Sequence, residues 1–160
     1  MNRAYVGLGS NLGDSRQLVL DAMDALENLP GARPVGRSRL YRTPPWGLLE
    51  QPPFINAAMA VETPMAPLEL LDAMLAIERA AGRIRDGERW GPRTLDLDLL
   101  HVEGFVLHDP RLTLPHPRIA ERAFVLLPLN ELAPDLELAD QGRIAEMLAA
   151  VDSSQCQLLP

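Results

Sequence analysis

The chain has 160 residues, enough for one domain with a real hydrophobic core. Its 22 acidic residues outnumber 15 basic ones, and a net charge of -7 argues against bulk binding to nucleic acid or to an anionic membrane. The single cysteine, Cys156, excludes an internal disulfide framework and a cysteine metal site.

No apolar run approaches membrane-spanning length, and the N-terminus lacks a charged region followed by a long apolar one, so the expected location is the cytoplasm. Fifteen prolines point to stiff, defined loops rather than disorder.

Residues 3–9 are short and apolar and predict a first strand. It runs into Gly9-Ser10-Asn11-Leu12-Gly13-Asp14, a turn with Asp14 or Ser15 as the N-cap of a helix. Gly7, Gly9 and Gly13 are spaced G-x-G-x-x-x-G, one residue too long for a dinucleotide fingerprint, so a tight strand-to-helix turn is the better reading. Residues 15–29 carry Leu18, Val19, Ala22, Ala25, Leu26 and Leu29 on one helical stripe, and Pro30-Gly31 stops it. Residues 32–42 predict a second strand around Val35, Leu40 and Tyr41.

The proline-rich stretch 43–53 predicts a long structured loop, a common place for function. Its Trp46 suits a core plug, a substrate lid or an exposed position equally. Residues 54–63 alternate as a third strand, with Phe54 and Asn56 on one face. By spacing alone these are a core aromatic and a hydrogen-bonded amide; the sharper reading is a ring stacked on a flat heterocycle beside an amide reading its edge. Residues 66–81 form the clearest helix, with Pro67 near its start, Leu68, Leu71 and Leu75 on one side, and Gly82 as its stop. Glu78 is expected on its solvated surface.

The stretch G-R-I-R-D-G-E-R-W-G-P-R-T-L-D-L-D-L-L (82–100) carries the most chemistry. Its first half places Arg83, Arg85, Arg89 and Arg93 in a glycine-punctuated loop. From Thr94 on, polar and apolar residues alternate with the period of a half-buried strand. Leu95, Leu97 and Leu99 then face one way, and Asp96 and Asp98 the other, roughly 6.5 Å apart along the strand. Mg²⁺ takes carboxylates plus substrate phosphates, and arginines match phosphate oxygens. A solvated acidic face paired with basic neighbours is the plain alternative for D-x-D alone; with R-x-R-x-x-x-R-W-G-P-R attached, a polyphosphate site is favoured.

Residues 105–107 are expected as a hairpin partner of the D-x-D strand, and Arg111-Leu112-Thr113-Leu114-Pro115-His116 leads into a segment ending at Phe124. Residues 125–132 and 142–151 predict short helices, and the final residues a tail. The order strand, helix, strand, strand, helix, strand predicts an α+β, ferredoxin-like βαββαβ core with a C-terminal extension, an antiparallel sheet covered by helices in a single domain, 1–160.

R-W-G-P-R-T-L-D-L-D, with Gly9-Ser10-Asn11, Tyr41-Arg42-Thr43-Pro44-Pro45 and Leu114-Pro115-His116-Pro117 in the same order, resembles the 6-hydroxymethyl-7,8-dihydropterin pyrophosphokinases of folate biosynthesis. The resemblance implies transfer of pyrophosphate from ATP to the hydroxymethyl group of the pterin, with release of AMP. It implies two Mg²⁺ ions on Asp96 and Asp98, and transition-state stabilisation by Arg83 and Arg93. It implies ATP contacts from Arg85, Arg89, Trp90, Arg111 and His116, and a pterin pocket of Thr43, Pro44, Trp46, Phe54, Asn56 and Phe124. A monomer with small-molecule substrates is expected. Asp86, Pro117, Leu75 and Phe54 depart from the residues usual in the family at those places, which bears on details of nucleotide and pterin affinity.

Overall fold

The computed structural model describes residues 1–44, 52–82 and 95–160. In chain order the elements are β1 (Asn2–Ser10), α1 (Ser15–Glu27), β2 (Arg33–Arg37), β3 (Tyr41–Thr43), β4 (Phe54–Thr63), α2 (Pro67–Ala80), β5 (Asp96–Val102), β6 (Leu107–Asp109) and β7 (Leu112–Leu114). A 3-10 turn (Ile119–Glu121), α3 (Ala123–Leu132), β8 (Glu137–Leu138), β9 (Gly142–Arg143), α4 (Ile144–Ala149) and β10 (Gln157–Leu158) complete it.

The local chemistry sets the helix ends. Asp14 caps α1 by accepting the Gln17 N–H at 3.2 Å. Pro67 opens α2, where its missing N–H costs nothing, and Glu69 reaches back to the Ala66 N–H at 3.1 Å. Gly82 ends that helix at φ +88°, a backbone region that a side chain would disfavour.

The main sheet runs β10-β3-β4-β1-β5, with β2 also paired to β4, and every pairing in it is antiparallel. Its central order β3-β4-β1-β5 is that of a ferredoxin-like α+β sandwich. Alternation sorts the side chains. Ala4, Val6 and Leu8 of β1, Ala57, Met59 and Val61 of β4, and Leu97 and Leu99 of β5 meet Val19, Met23 and Leu26 of α1 and Leu70 and Met74 of α2. On the other face, Tyr5, Ala60 and Leu100 meet Val125, Leu126 and Leu129 of α3 and Ile144 and Met147 of α4. Among the described residues no helix is long and apolar enough to cross a membrane.

Three expectations are corrected. The second strand is two: Pro34 cannot donate to a ladder, the register shifts between Pro34 and Gly36, and Val35 stays 40% exposed. Between β2 and β3, Ser38 keeps contact with Ala58 both ways, donating its N–H at 2.8 Å and accepting the Ala58 N–H on its hydroxyl at 2.8 Å. The segment after Gly104 does not pair with β5. Gly104 turns at φ +85°, and β6 pairs with β7 instead. The terminal residues form β10, with Leu158 opposite Tyr41 and the Leu159 N–H donating to the Leu40 carbonyl at 2.9 Å. The alternation of β5 holds as far as Leu100 and breaks after it. A bulge between the Tyr5 and Val6 pairings leaves Leu100 without an opposite number and turns both Leu100 and His101 toward α3.

Candidate active site

Directly paired residues of antiparallel strands point to the same face. The register therefore lays Tyr41, Asn56, Gly9 and Asp96 in one row across β3, β4, β1 and β5, with Ala58, Gly7 and Asp98 in the next. This is the face away from α1 and α2, as the Tyr41 hydroxyl shows by donating to Glu131 of α3 at 2.7 Å. Asp96 and Asp98 are half-buried and share it, as alternation requires. Asn56 lies two strands away from Asp96, roughly 10 Å at ordinary strand spacing.

Gly9 sits between them, and its bareness has a cause. A Cβ there would lie 2.8 Å from the Asn56 Oδ1, closer than side chains pack. Gly7 and Gly9 thus belong to the strand, and only Gly13, at φ +79°, serves the turn. Asn56 is 7% exposed, and its Nδ2 donates to the Thr43 Oγ1 at 2.6 Å; Thr43 is itself 3% exposed. Phe54 is half-buried, shares the Asn56 face and lies opposite Thr43. Pro44 is exposed at the end of β3. Phe124 enters from the first turn of α3, with the Arg122 guanidinium carbon 5.8 Å from its ring centroid. Four of the predicted pterin residues, Thr43, Phe54, Asn56 and Phe124, therefore stand on or beside one face. Trp46 lies outside the described residues.

On the β5 side a cavity of about 600 Å³ is lined by Asp96 and Asp98, by Leu71, Leu75 and Glu78 of α2, by Arg111 and Thr113 beside and within β7, and by His116. It is acidic on one wall and apolar on another. The predicted metal carboxylates and two of the predicted nucleotide residues, Arg111 and His116, are thus brought together. The Arg111 guanidinium is exposed and paired with Asp72 of α2, and its backbone N–H donates to Asp109 at 2.9 Å.

His116 is held from three sides. Its N–H donates to the Leu100 carbonyl at 2.8 Å, its carbonyl accepts from Gln141 at 2.9 Å, and its Nδ1 accepts the Arg118 N–H at 3.1 Å. That last bond leaves the ring proton of the neutral form on Nε2. Burial, and then the positive charges of Arg122 and Arg118, push its pKa down to about 4 against an opposing pull from Asp96. At neutral pH His116 is therefore a neutral N–H donor rather than a cation.

Glu78 overturns its surface assignment. It is 2% exposed, and its Oε2 accepts the Leu97 N–H at 2.8 Å. A signal for this was in the sequence: Glu78 lies four residues after Met74 and eight after Leu70, on the buried stripe of α2. Thr113, which also lines the cavity, had no such signal. Arg83, Arg85, Arg89, Trp90 and Arg93 lie outside the described residues.

The donor set fits Mg²⁺ carried by a nucleotide. Among the described residues no group of three or more His, Cys, Asp or Glu is placed to hold an ion. A Mg²⁺ that brings its own phosphate ligands needs only one or two carboxylates, which β5 supplies.

A family model described as 7,8-dihydro-6-hydroxymethylpterin-pyrophosphokinase (HPPK) matches residues 5–134. The 2-amino-4-hydroxy-6-hydroxymethyldihydropteridine pyrophosphokinase of Methylorubrum extorquens is 50% identical over 154 residues, 96% of each chain. Its counterpart from Pseudomonas aeruginosa is 49% identical over 160 residues, covering 100% of this chain and 98% of its own. Among solved structures, wild-type Plasmodium falciparum HPPK-DHPS with pteroate matches at a TM-score of 0.73 and 16% identity over 93% of this chain and 42% of that longer one, a likeness of fold alone.

Proposed function

The chain belongs to the 7,8-dihydro-6-hydroxymethylpterin-pyrophosphokinase family, and on that premise we propose that it transfers a pyrophosphoryl group from ATP to the hydroxymethyl oxygen of 6-hydroxymethyl-7,8-dihydropterin in folate biosynthesis. The hydroxyl oxygen forms a bond to the β-phosphorus and gives up its proton to solvent water. The bond from that phosphorus to the oxygen bridging it to the α-phosphorus breaks, and AMP leaves with that oxygen.

The observation that carries the reading is the row Asn56–Gly9–Asp96. It sets an amide suited to a heterocycle edge roughly 10 Å from a carboxylate suited to a metal-bound phosphate, with Gly9 between them in the sheet. Asn56, fixed by Thr43, reads the pterin edge, and Phe54 and Phe124 supply its flat faces. Two Mg²⁺ ions held by Asp96 and Asp98 would supply charge neutralisation at the phosphate oxygens. His116 offers its Nε2–H to a phosphate oxygen as a neutral donor, and Arg111 adds charge at the cavity mouth. Arg83 and Arg93 stabilise transition-state charge, while Arg85, Arg89 and Trp90 hold ATP. Losing an arginine of the first kind costs on the order of 10³-fold in rate.

Asp96→Ala and Asp98→Ala test the metal assignment. Both are half-buried residues outside the two hydrophobic cores, so turnover should vanish while the protein still folds cooperatively. A variant that folds and turns over at the parental rate removes the carboxylate from the site.

A further inference from the structure

Among the described residues β5 is the edge of the main sheet, with no strand on its outward side. The N–H of Leu97 lies between the two candidate metal carboxylates. It is taken by Glu78, whose Oε2 stands 2.8 Å away on the last full turn of α2.

Burying a carboxylate is costly. The neighbouring positions of the stripe, Leu70 and Met74, are apolar and fully buried. An apolar residue at position 78 would extend the same core without desolvating a charge. Packing alone therefore does not explain the acid. Its location offers a reason. The peptide unit it grips joins Asp96 to Leu97, so it sets the orientation from which the Asp96 carboxylate leaves the strand and the pleat that aims Asp98. The same bond fastens the point where the chain leaves α2 to the point where it enters β5, 19 residues on.

We propose that Glu78 is a positioning residue for the carboxylate pair: by accepting the Leu97 N–H it holds the edge strand in the geometry in which Asp96 and Asp98 serve one metal–phosphate site. This rests on the pyrophosphokinase reading above. Glu78 acts through the strand, and its role requires an acceptor at that place rather than a charge.

Two variants separate these. Glu78→Gln keeps a carbonyl acceptor and drops the charge; Glu78→Met removes the acceptor and continues the apolar stripe. Three readouts are taken: the thermal midpoint, hydrogen exchange of the Leu97 amide in metal-free protein, and Mn²⁺ binding in the presence of a non-hydrolysable ATP analogue, followed alongside the Mg²⁺ dependence of turnover. Glu78→Met should remain folded, with one cooperative thermal transition. Leu97 should exchange at least tenfold faster, and Mn²⁺ affinity should fall roughly 10–100-fold, the range typical of residues supporting metal ligands. KM for the pterin should stay at the parental value. Glu78→Gln should restore Leu97 protection and most of the Mn²⁺ affinity. A Gln variant as impaired as Met, or a Met variant with unchanged exchange and Mn²⁺ binding, overturns the proposal. Exchange needs no substrate, so it still reports if the pyrophosphokinase reading fails.

Discussion

His116 shows how a single side chain is tuned by its surroundings. Its pKa falls from the ordinary 6.5 to about 4, so the folded state resists a proton that the unfolded chain accepts. Above pH 6.5 the ring is neutral in both states and its contribution is fully present. As pH falls from there toward 4 the unfolded chain gains protons and stability is lost, by at most about 3 kcal/mol, and below 4 the loss stops growing. His101, also held below its usual pKa by burial, acts in the same direction. Urea denaturation of His116→Asn, which keeps an acceptor for the Arg118 N–H, should show a smaller fall in stability between pH 7 and 4.5 than the parent. Parallel curves would show that the fall arises elsewhere. Gly9 makes the converse point, because it matters by what it lacks. In Gly9→Ala the new Cβ meets the Asn56 Oδ1 at 2.8 Å, so the amide must shift off Thr43. Losing one well-placed hydrogen bond, about 1.5 kcal/mol, should weaken pterin binding roughly tenfold and leave ATP affinity unchanged in a titration. Unaltered pterin affinity would remove Asn56 from the pocket. Asp96, Asp98 and Asn56 were legible because a period of two fixes the face of a strand residue. Glu78 was misread although it continues the Leu70–Met74 stripe, since an acid at a helix end is ordinarily solvated and its partner is a backbone amide on a distant strand.

Elements that alternate cleanly, β4 and β5, were visible in sequence, as were α1 and α2 with their caps. The misread elements are those whose pairing depends on a distant strand. β2 and β3 share the single edge of β4, and Ser38 rather than a continuous ladder bridges the gap between them. β10 has no period of its own, being two residues long, and exists because β3 presents an open edge. That gives the terminus a structural task. Removal of residues 156–160 deletes β10, the Leu159 to Leu40 bond and the packing of Leu159 on the core beneath β3. The loss should be roughly 1–3 kcal/mol in urea denaturation, two or three hydrogen bonds and one partly buried leucine. Unchanged stability would mean that β10 frays at no cost.

At the scale of the molecule, two helices cover one face of the sheet completely, and α3 with α4 adds a third layer on the other. The rows Asn56–Gly9–Asp96 and Ala58–Gly7–Asp98 belong to neither core, and they are where the residues proposed for pterin and phosphate converge. The ferredoxin-like order was legible from the succession of periods along the chain. The third layer was not, because short helices near the C-terminus carry no signal for the face they will cover. A fold of this kind serves many functions, so the chemistry must be tested at the site.

The direct test mixes the protein with ATP, Mg²⁺ and 6-hydroxymethyl-7,8-dihydropterin and identifies the nucleotide released. Attack at the β-phosphorus predicts AMP, formed only when the pterin is present. ADP would indicate an ordinary kinase and free pyrophosphate a nucleotidyl transfer, and either product, or no consumption of ATP by folded protein, would contradict the account.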